Sequence, residues 1–332
     1  MEIRDDYRAG YEKKLRKEPT CIFSDEIKIY SKMKVLVATE KPFAKVAVDG
    51  IREVVEKNGY TLALLEKYTD VNELYAAVAD ADALIVRSDK VTKEVIDHAK
   101  NLKIVVRAGA GFDNLDLEAC TARGIVAMNT PGQNSNAVAE LVMGMLVYAV
   151  RNFYNGKSGS ELMGKKLGIL AFGNVGRNVA RIAKGFGMEV YAYDAFLTAD
   201  QINASGMATA VANQQALFEQ CDIVSLHIPA TAETKQSINY DLVGKMPKGG
   251  ILVNSARKEV IDEAGLCKLM AERTDIMPDA DAEFKAFEGR YFATPKKMGA
   301  QTEEANINAG IAAANQIADF FKTGNKKFQV NK

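Results

Sequence analysis

Two glycines in the middle of the chain have the spacing of a loop that binds phosphate. An apolar run from Leu167 to Phe172 ends in the turn Gly173-Asn174-Val175-Gly176, and a helical pattern follows it. Gly173 would let the backbone approach a pyrophosphate, whose charge the free N–H groups at the start of the helix would bind. Gly176 would let the helix pack closely against the preceding strand. The stretch therefore predicts a dinucleotide-binding unit that includes Asn174 and Val175.

An acidic residue follows at the place where a dinucleotide needs one. A second apolar run, Val190 to Tyr193, ends in Asp194, close to the spacing of roughly 20 residues at which an acid binds a ribose 2′-hydroxyl. No arginine follows that could bind a 2′-phosphate, so the pattern favours NAD over NADP. Ala171 stands where the G-x-G-x-x-G pattern has its first glycine. Judged on this stretch alone, the alternative to a dinucleotide-binding unit is an ordinary βαβ turn in an α/β domain that binds no nucleotide.

An arginine after a third apolar run is suited to bind a carboxylate. Arg257 follows the run Gly250 to Val253, which places it at the carboxyl end of a predicted strand. A guanidinium can bind a carboxylate through a bidentate pair of hydrogen bonds. The alternative is a surface arginine beside Lys258.

These residues depend on two predicted sheets that would position them. Apolar runs alternate with helical patterns from Met33 to about Asn129 and again from Lys166 onward, which predicts an α/β fold with two doubly wound parallel sheets. Long helices at 134–154 and 303–323 would join the sheets beside a cleft. Ligands favour such clefts and the carboxyl ends of parallel strands.

The two joining helices suggest how the chain divides into domains. We expect a Rossmann-type cofactor domain at 133–302, inserted into a flavodoxin-like substrate domain made of 33–132 and 303–332. Residues 1–32 are charged and lack the alternation, so we expect an appended, poorly ordered segment or sequence upstream of a start at Met33. A partner-docking arm is the alternative for that segment.

The composition excludes several classes of function. The 332 residues contain 43 basic and 43 acidic side chains, so neither nucleic acid nor an anionic membrane is expected as a partner. Four widely separated cysteines without a CxxC motif predict reduced thiols and no metal site. The longest apolar run, Leu141 to Val150, is too short to cross a bilayer, and the N-terminus does not read as a signal peptide. We expect a cytoplasmic protein that acts on a small molecule.

Several separate blocks resemble the D-isomer-specific 2-hydroxyacid dehydrogenases, over about Lys34 to Lys322. The blocks are RAGAGFDNLDLEACTARGIVAMNTPGQNS at 107–135, LGILAFGNVG at 167–176, SLHIPATAET at 225–234, ILVNSARKEVIDE at 251–263 and TPKKMGAQTEEA at 294–305. The chain looks most like the short branch of the family, which oxidises 3-phospho-D-glycerate and lacks a C-terminal regulatory ACT domain. The resemblance implies NAD-dependent oxidation to 3-phosphohydroxypyruvate, the first step of serine biosynthesis, by a homodimer.

The resemblance also implies roles for residues that bind the substrate. Arg257 would hold the carboxylate and carbonyl of the substrate. The backbone of Gly109, Ala110 and Gly111 resembles the family's carboxylate-binding loop, in which small residues let N–H groups converge on an anion. A separate stretch, containing Arg87, Ser88 and Lys90, resembles the family's phosphate-contacting stretch and suits a dianion. A solvated strand end is the alternative for that stretch.

Further residues would contact the cofactor by the same resemblance. His227 and Pro229 match the family's cofactor-contacting H-x-P motif, and Ser255 would contact the cofactor as well. Asp275 best matches a strand aspartate that binds the nicotinamide amide, although it follows Arg257 sooner than we expect, which suggests a shortened strand. His98, on a polar helix, is expected to be a surface residue.

The family's usual catalytic histidine is absent. Thr294 and Pro295 are followed by Lys296 and Lys297, where the family usually has TPH, and this pattern resembles a lysine-bearing subclass. Lys296 would carry the proton, provided that burial and Arg257 bring its pKa toward neutrality. A structural lysine in an inactive site is the alternative. Three acids, Asp279, Asp281 and Glu283, are candidates for its acid partner, and we choose Asp281.

Two other functions remain open from the sequence. The chain could be another D-2-hydroxyacid dehydrogenase, acting on glyoxylate or hydroxypyruvate. It could also be an NAD-sensing binding protein that has lost catalysis.

Overall fold

The computed structural model describes residues 32–278, 289–295 and 298–331. Residues Met33–Lys332 form one compact unit. Within the described residues, no helix combines the length and apolar character that a membrane span requires.

The first sheet contains five parallel strands in the order β2-β1-β3-β4-β5. Its strands are β1 (Lys34–Thr39), β2 (Thr61–Glu66), β3 (Ala83–Val86), β4 (Ile104–Arg107) and β5 (Val126–Asn129). The helices between them are α1 (Lys45–Lys57), α2 (Val71–Val78), α3 (Lys93–His98) and α4 (Leu117–Ala122). All four residues of β3 are buried, as expected for a parallel strand covered on both faces.

The second sheet contains six parallel strands in the order β11-β10-β9-β6-β7-β8. Its strands are β6 (Lys166–Leu170), β7 (Glu189–Tyr193), β8 (Thr209–Ala210), β9 (Ile223–Leu226), β10 (Ile251–Asn254) and β11 (Met277–Pro278). The helices that precede or connect these strands are α5 (Ser135–Val150), α6 (Asn174–Gly185), α7 (Ala199–Asn203), α8 (Gln214–Gln220), α9 (Tyr240–Val243) and α10 (Glu263–Glu272). The predicted α/β fold with two parallel sheets is confirmed.

Helix α11 (Glu303–Thr323) follows the second sheet in sequence and packs on the first. It begins at the N-cap Thr302, whose hydroxyl accepts from Ala305 N, and Gly324 ends it in a left-handed conformation. Ala313 and Ile317 of α11 share a core with Ile51 and Ile85 of the first sheet's layers. The chain therefore returns to the first sheet after completing the second.

The predicted helix at 134–154 is shorter than expected. Helix α5 ends at Val150, and Asn152, Phe153 and Tyr154 all have positive φ. Ser160 N donates to Val150 O at 2.8 Å, so the chain folds back and satisfies a carbonyl at the end of the helix. The apolar sequence pattern continued past the end of the helix because Phe153 and Tyr154 are aromatic, and their rings pack against Tyr148 from outside the helix.

Candidate active site

The turn after β6 has the geometry that a dinucleotide needs. Arg177 N makes the first bond of α6, to Gly173 O at 3.0 Å, so the preceding N–H groups point off the start of the helix. An added Cβ at Gly173 would meet no atom within 4 Å, which leaves space directly above this backbone. An added Cβ at Gly176 would lie 2.3 Å from Ala171 O, so only glycine allows this close packing.

Ala171 adopts a conformation that glycine favours. Its φ is 76°, in the left-handed region, at the position where the usual pattern has a glycine. A side chain there costs roughly 1–2 kcal/mol. The turn forms in spite of that cost because β6 and α6 hold both of its ends.

Asp194 links the two loops of the dinucleotide unit. Its carboxylate accepts from Phe172 N at 2.8 Å, Phe196 N at 2.8 Å and Leu197 N at 3.2 Å. A carboxylate offers about four acceptor positions, so one remains for a ribose hydroxyl. Together with the open space at Gly173, this arrangement fits an NAD molecule.

His227 lies between two serines at the end of β9. Ser225 Oγ is 3.0 Å from Nε2, and Ser255 Oγ is 3.0 Å from Nδ1. Burial lowers the pKa of His227 to about 3, so the ring is neutral near pH 7. Pro229, two residues further along, is exposed.

Arg257 stands on a turn at the carboxyl end of β10. Asn254 closes this turn, because its Nδ2 donates to Arg257 O at 2.9 Å and its Oδ1 accepts from Ala256 N at 3.0 Å. The Arg257 guanidinium is exposed, and its Nη2 lies 3.6 Å from the position of a Cβ on Gly111. The structure therefore brings Arg257 from the second sheet to the loop 109–111 of the first.

Arg107 is a charged residue at this site that sequence reasoning missed. Its guanidinium lies across Gly109, where φ is 149° and an added Cβ would be 1.6 Å from Arg107 Nη1. Burial lowers the pKa of Arg107, Asp113 acts in the opposite direction, and Arg87 and Arg257 lower it further. Arg87 and Arg257 are thus both close enough to act on the charge of Arg107, and an anion beside Arg107 would be stabilised. The signal was an arginine at the carboxyl end of a buried run, directly before the small-residue loop.

An open cleft of about 510 Å³ includes Arg257. Asp113 of the first sheet's loops, Met145 of α5 and Ser255 also line it. Thr294, Pro295 and Met298, on either side of positions 296 and 297, line the same cleft. The predicted catalytic residues Lys296 and Asp281 lie outside the described residues, as do Lys297, Asp279 and Glu283.

Arg87 follows β3, but its guanidinium already has partners. Nη1 donates to Lys41 O at 2.8 Å and Pro42 O at 2.9 Å, and Nη2 donates to Asn306 Oδ1 of α11 at 2.7 Å. Its side chain thereby joins the loop after β1 to the start of α11. Ser88 and Lys90 are exposed at the same strand end. Their predicted contact with a phosphate stays a prediction.

The structure does not bring Asp275 to the site. Its carboxylate accepts from Gly249 N at 2.8 Å and Arg273 Nη2 at 2.7 Å, and these two donors hold its pKa well below the usual range. Ile251 pairs with Met277, so Asp275 precedes the amino end of β11. Asp194, His227 and Arg257 follow the carboxyl ends of their strands, at the opposite edge. This placement does not support Asp275 as the partner of the nicotinamide.

Comparison with known proteins identifies relatives of this chain. Residues 123–277, which include Gly173, Asp194 and His227, match the family model "D-isomer specific 2-hydroxyacid dehydrogenase, NAD binding domain". The hydroxypyruvate reductase of Thermotoga maritima is 35% identical over 285 residues, which cover 78% of this chain and 91% of that protein.

Phosphoglycerate dehydrogenases are also similar to the chain. The D-3-phosphoglycerate dehydrogenase of Methanocaldococcus jannaschii is 36% identical over 268 residues, covering 74% of this chain and 51% of that protein. The crystal structure of NAD+-bound 3-phosphoglycerate dehydrogenase from Entamoeba histolytica is 49% identical, with a TM-score of 0.79, and covers 91% of this chain and 99% of that one. The chain spans about half the length of the first of these relatives.

Proposed function

Because the chain belongs to the D-isomer specific 2-hydroxyacid dehydrogenase family, we propose that it oxidises 3-phospho-D-glycerate to 3-phosphohydroxypyruvate with NAD. The observation that carries the proposal is the approach of Arg257 to the loop 109–111, beside Arg107. A substrate with a carboxylate at one end and a phosphate at the other needs more than one cation. Arg257, Arg107 and Arg87 supply three within one group of interacting charges.

Three residues, Arg257, Lys296 and Asp281, would each have a distinct part in the reaction. Arg257 would hold the carboxylate through its guanidinium fork and stabilise the oxygen as it becomes a carbonyl. Lys296 would take the hydroxyl proton as the C–O bond becomes double. Bound NAD would supply the acceptor for the hydride that leaves the carbon bearing this hydroxyl. Asp281 would orient the lysine as its acid partner.

Residues of the dinucleotide unit would hold the cofactor. The backbone at Gly173, Asn174 and Val175 would bind the pyrophosphate, and the remaining acceptor position of Asp194 would bind the adenosine ribose. His227 and Pro229, at the neighbouring strand end, would border the cofactor on its other side.

A second candidate is the reduction of hydroxypyruvate or glyoxylate. The Thermotoga relative named hydroxypyruvate reductase matches along 91% of its own length. The three hydrogen bonds that already engage Arg87 also favour a substrate without phosphate. An NAD-sensing protein without catalysis is the third candidate, and an assay for turnover separates it from both enzymes.

We further propose a cytoplasmic homodimer. Helix α5 is apolar around most of its circumference, and the segment after it exposes Tyr154 by 66% and Met163 by 71%. Contiguous exposed apolar surface is typical of protein interfaces, and these two side chains would contribute to such a surface. Light scattering at micromolar concentration should report a dimer, and a monomer would contradict the proposal.

NAD reduction with 3-phosphoglycerate, D-glycerate and D-lactate, measured side by side, tests the substrate. We expect 3-phosphoglycerate to have the highest kcat/KM. Arg87→Ala should raise KM for 3-phosphoglycerate about tenfold, since a charge-assisted contact contributes roughly 1.5–3 kcal/mol, and should change glycerate little. Arg52→Ala, on the exposed face of α1, is the control. If Arg87→Ala raises KM equally for 3-phosphoglycerate and glycerate, Arg87 has a structural role and does not bind the phosphate. A higher kcat/KM with hydroxypyruvate, which lacks a phosphate, would favour the second candidate.

A further inference from the structure

A chain of hydrogen bonds connects the end of β9 with the turn that carries Arg257. The imidazole of His227 lies between Ser225, which is fully buried on β9, and Ser255, the first residue after β10. Ser255 Oγ also lies 3.3 Å from Leu226 O. The ring therefore has a hydroxyl at each nitrogen, and one of those hydroxyls has a carbonyl beside it.

The chemistry of the groups selects a direction for these bonds. A neutral imidazole has one N–H donor and one acceptor nitrogen, and a hydroxyl has a single hydrogen to donate. A carbonyl can only accept. If Nδ1 carries the proton, it donates to Ser255 Oγ, Ser255 donates to Leu226 O, and Ser225 donates to Nε2. In the other tautomer the proton is on Nε2, and Ser255 must donate its one hydrogen to Nδ1. Ser255 then has no hydrogen left to donate to Leu226 O.

Ser255 lies on the turn that positions Arg257. Asn254 closes the turn through its bonds to Arg257 O and Ala256 N. Ser255 lies in this turn, directly after Asn254, and its side chain bonds to His227 at the end of β9. His227 begins the loop that continues to the exposed Pro229. A displacement of this loop would therefore move the turn of Arg257 through the single hydrogen bond between His227 and Ser255.

We propose that His227 is a positioning residue, held as the Nδ1–H tautomer, whose bond to Ser255 sets the turn of Arg257 and couples the loop 227–229 to the carboxylate site. The kinetic part of this inference rests on the proposed function, whereas the tautomer does not. His227 takes no part in proton transfer to the substrate.

The chain allows the tautomer to be observed directly. It contains only two histidines, His98 and His227, so the variant His98→Gln leaves His227 as the single histidine signal. Nitrogen NMR of isotope-labelled histidine at pH 7 should show the proton on Nδ1. A proton on Nε2 would overturn the proposed direction of the bonds, whatever the substrate proves to be.

Kinetics of matched variants test the coupling. Ser255→Ala should raise KM for the carboxylate substrate about three- to tenfold, the value of one hydrogen bond, while kcat changes less than twofold. Ser255→Thr keeps the hydroxyl and should restore KM. Ser225→Ala, at the other nitrogen, should leave KM within twofold.

Two substitutions at the histidine separate its nitrogens. The amide N–H of His227→Asn lies near the place of Nδ1 and can still donate to Ser255, whereas His227→Gln reaches toward Nε2. We expect the Gln variant to raise KM more than the Asn variant. An unchanged KM in Ser255→Ala, or equal effects of Ser255→Ala and Ser255→Thr, would overturn the coupling. If the unmodified protein fails to oxidise 3-phosphoglycerate, the proposed function is wrong, but the proposed tautomer of His227 is still tested because the NMR measurement needs no substrate.

Discussion

Arg257 Nη2 lies 3.6 Å from the position that a Cβ on Gly111 would occupy. The arginine follows β10 of the second sheet, and the glycine belongs to the loop after β4 of the first. The same Cβ would lie 3.1 Å from Asp113 Oδ1, so a side chain at 111 would enter the space between the guanidinium and the loop, where we propose that the substrate carboxylate binds. Because the two residues follow strands of different sheets, the proposed carboxylate site requires both sheets to have folded and packed together.

Two glycines of the dinucleotide loop should respond differently to alanine. Gly173→Ala adds a methyl that meets no protein atom within 4 Å, so stability should persist while NAD affinity falls. Gly176→Ala places its methyl 2.3 Å from Ala171 O, and overpacking of this kind costs about 1–3 kcal/mol. Thermal melts and calorimetric titration with NAD would separate the effects. Full NAD affinity in Gly173→Ala would contradict a pyrophosphate at this backbone.

Ala171→Gly should stabilise the protein. It removes a left-handed alanine that costs roughly 1–2 kcal/mol, although glycine also gains entropy in the unfolded chain, worth about 0.4–1 kcal/mol. A net gain of about 0.5–1 kcal/mol in the free energy of unfolding is expected from urea titrations. Ala204→Gly, at an exposed position with φ of −61°, is the matched control and should destabilise. Loss of stability in both variants would show that the turn is not strained.

Asp194 should determine the choice between NAD and NADP. Its carboxylate binds three backbone N–H groups and would repel a 2′-phosphate. Asp194→Asn should weaken NAD about tenfold and narrow the preference over NADP, since charge-assisted bonds contribute roughly 1.5–3 kcal/mol. It should also lower the melting temperature. Asp200→Asn, an exposed acid nearby, controls for net charge; equal rates with both cofactors in the unmodified protein would refute the assignment.

Lys296 should carry the proton of the reaction. Lys296→Ala should lower kcat about 10²–10⁴-fold while NAD still binds, as expected for loss of a general base. Lys297→Ala is the neighbouring control and should have much less effect. Lys296→His restores the residue that the family usually has, and some activity should return with its pH profile moved toward neutrality. Near-normal kcat in Lys296→Ala would redirect attention to Lys297.

Acid should destabilise the fold through His227. Burial lowers its pKa from 6.5 to about 3. Between these values the unfolded chain binds a proton that the folded chain does not, so stability falls as the pH falls. From pH 6.5 to 5 this contribution is at most about 2 kcal/mol. Urea titrations at both pH values should show a smaller drop in His227→Asn than in the unmodified protein.

The exposed histidine provides the control for that experiment. His98→Gln should retain the full drop in the free energy of unfolding, because His98 lies at the surface at the end of α3. An identical drop in His227→Asn would mean that other groups cause the acid sensitivity.

The sequence by itself determined the local units of this protein. Apolar runs separated by helical patterns predicted the strands of both sheets, because side-chain periodicity is a local property of the chain. The turn from Gly173 to Gly176 and the acid at Asp194 were also local, since one strand–turn–helix unit contains the spacing that defines them. Arg257 could be placed at a strand end for the same reason.

Only the tertiary structure decided which residues meet. The proximity of Arg257 to Gly111 and the contact of Ser255 with His227 depend on strand order and on packing between elements far apart in sequence. The position of Arg107 over Gly109 depends on the direction in which the side chain points. Asp275 shows the same limit, because the register of β11 against β10 places it at the opposite edge from the site. Spacing along a chain fixes neither register nor the direction in which a side chain points, and these two properties determine the chemistry of the cleft.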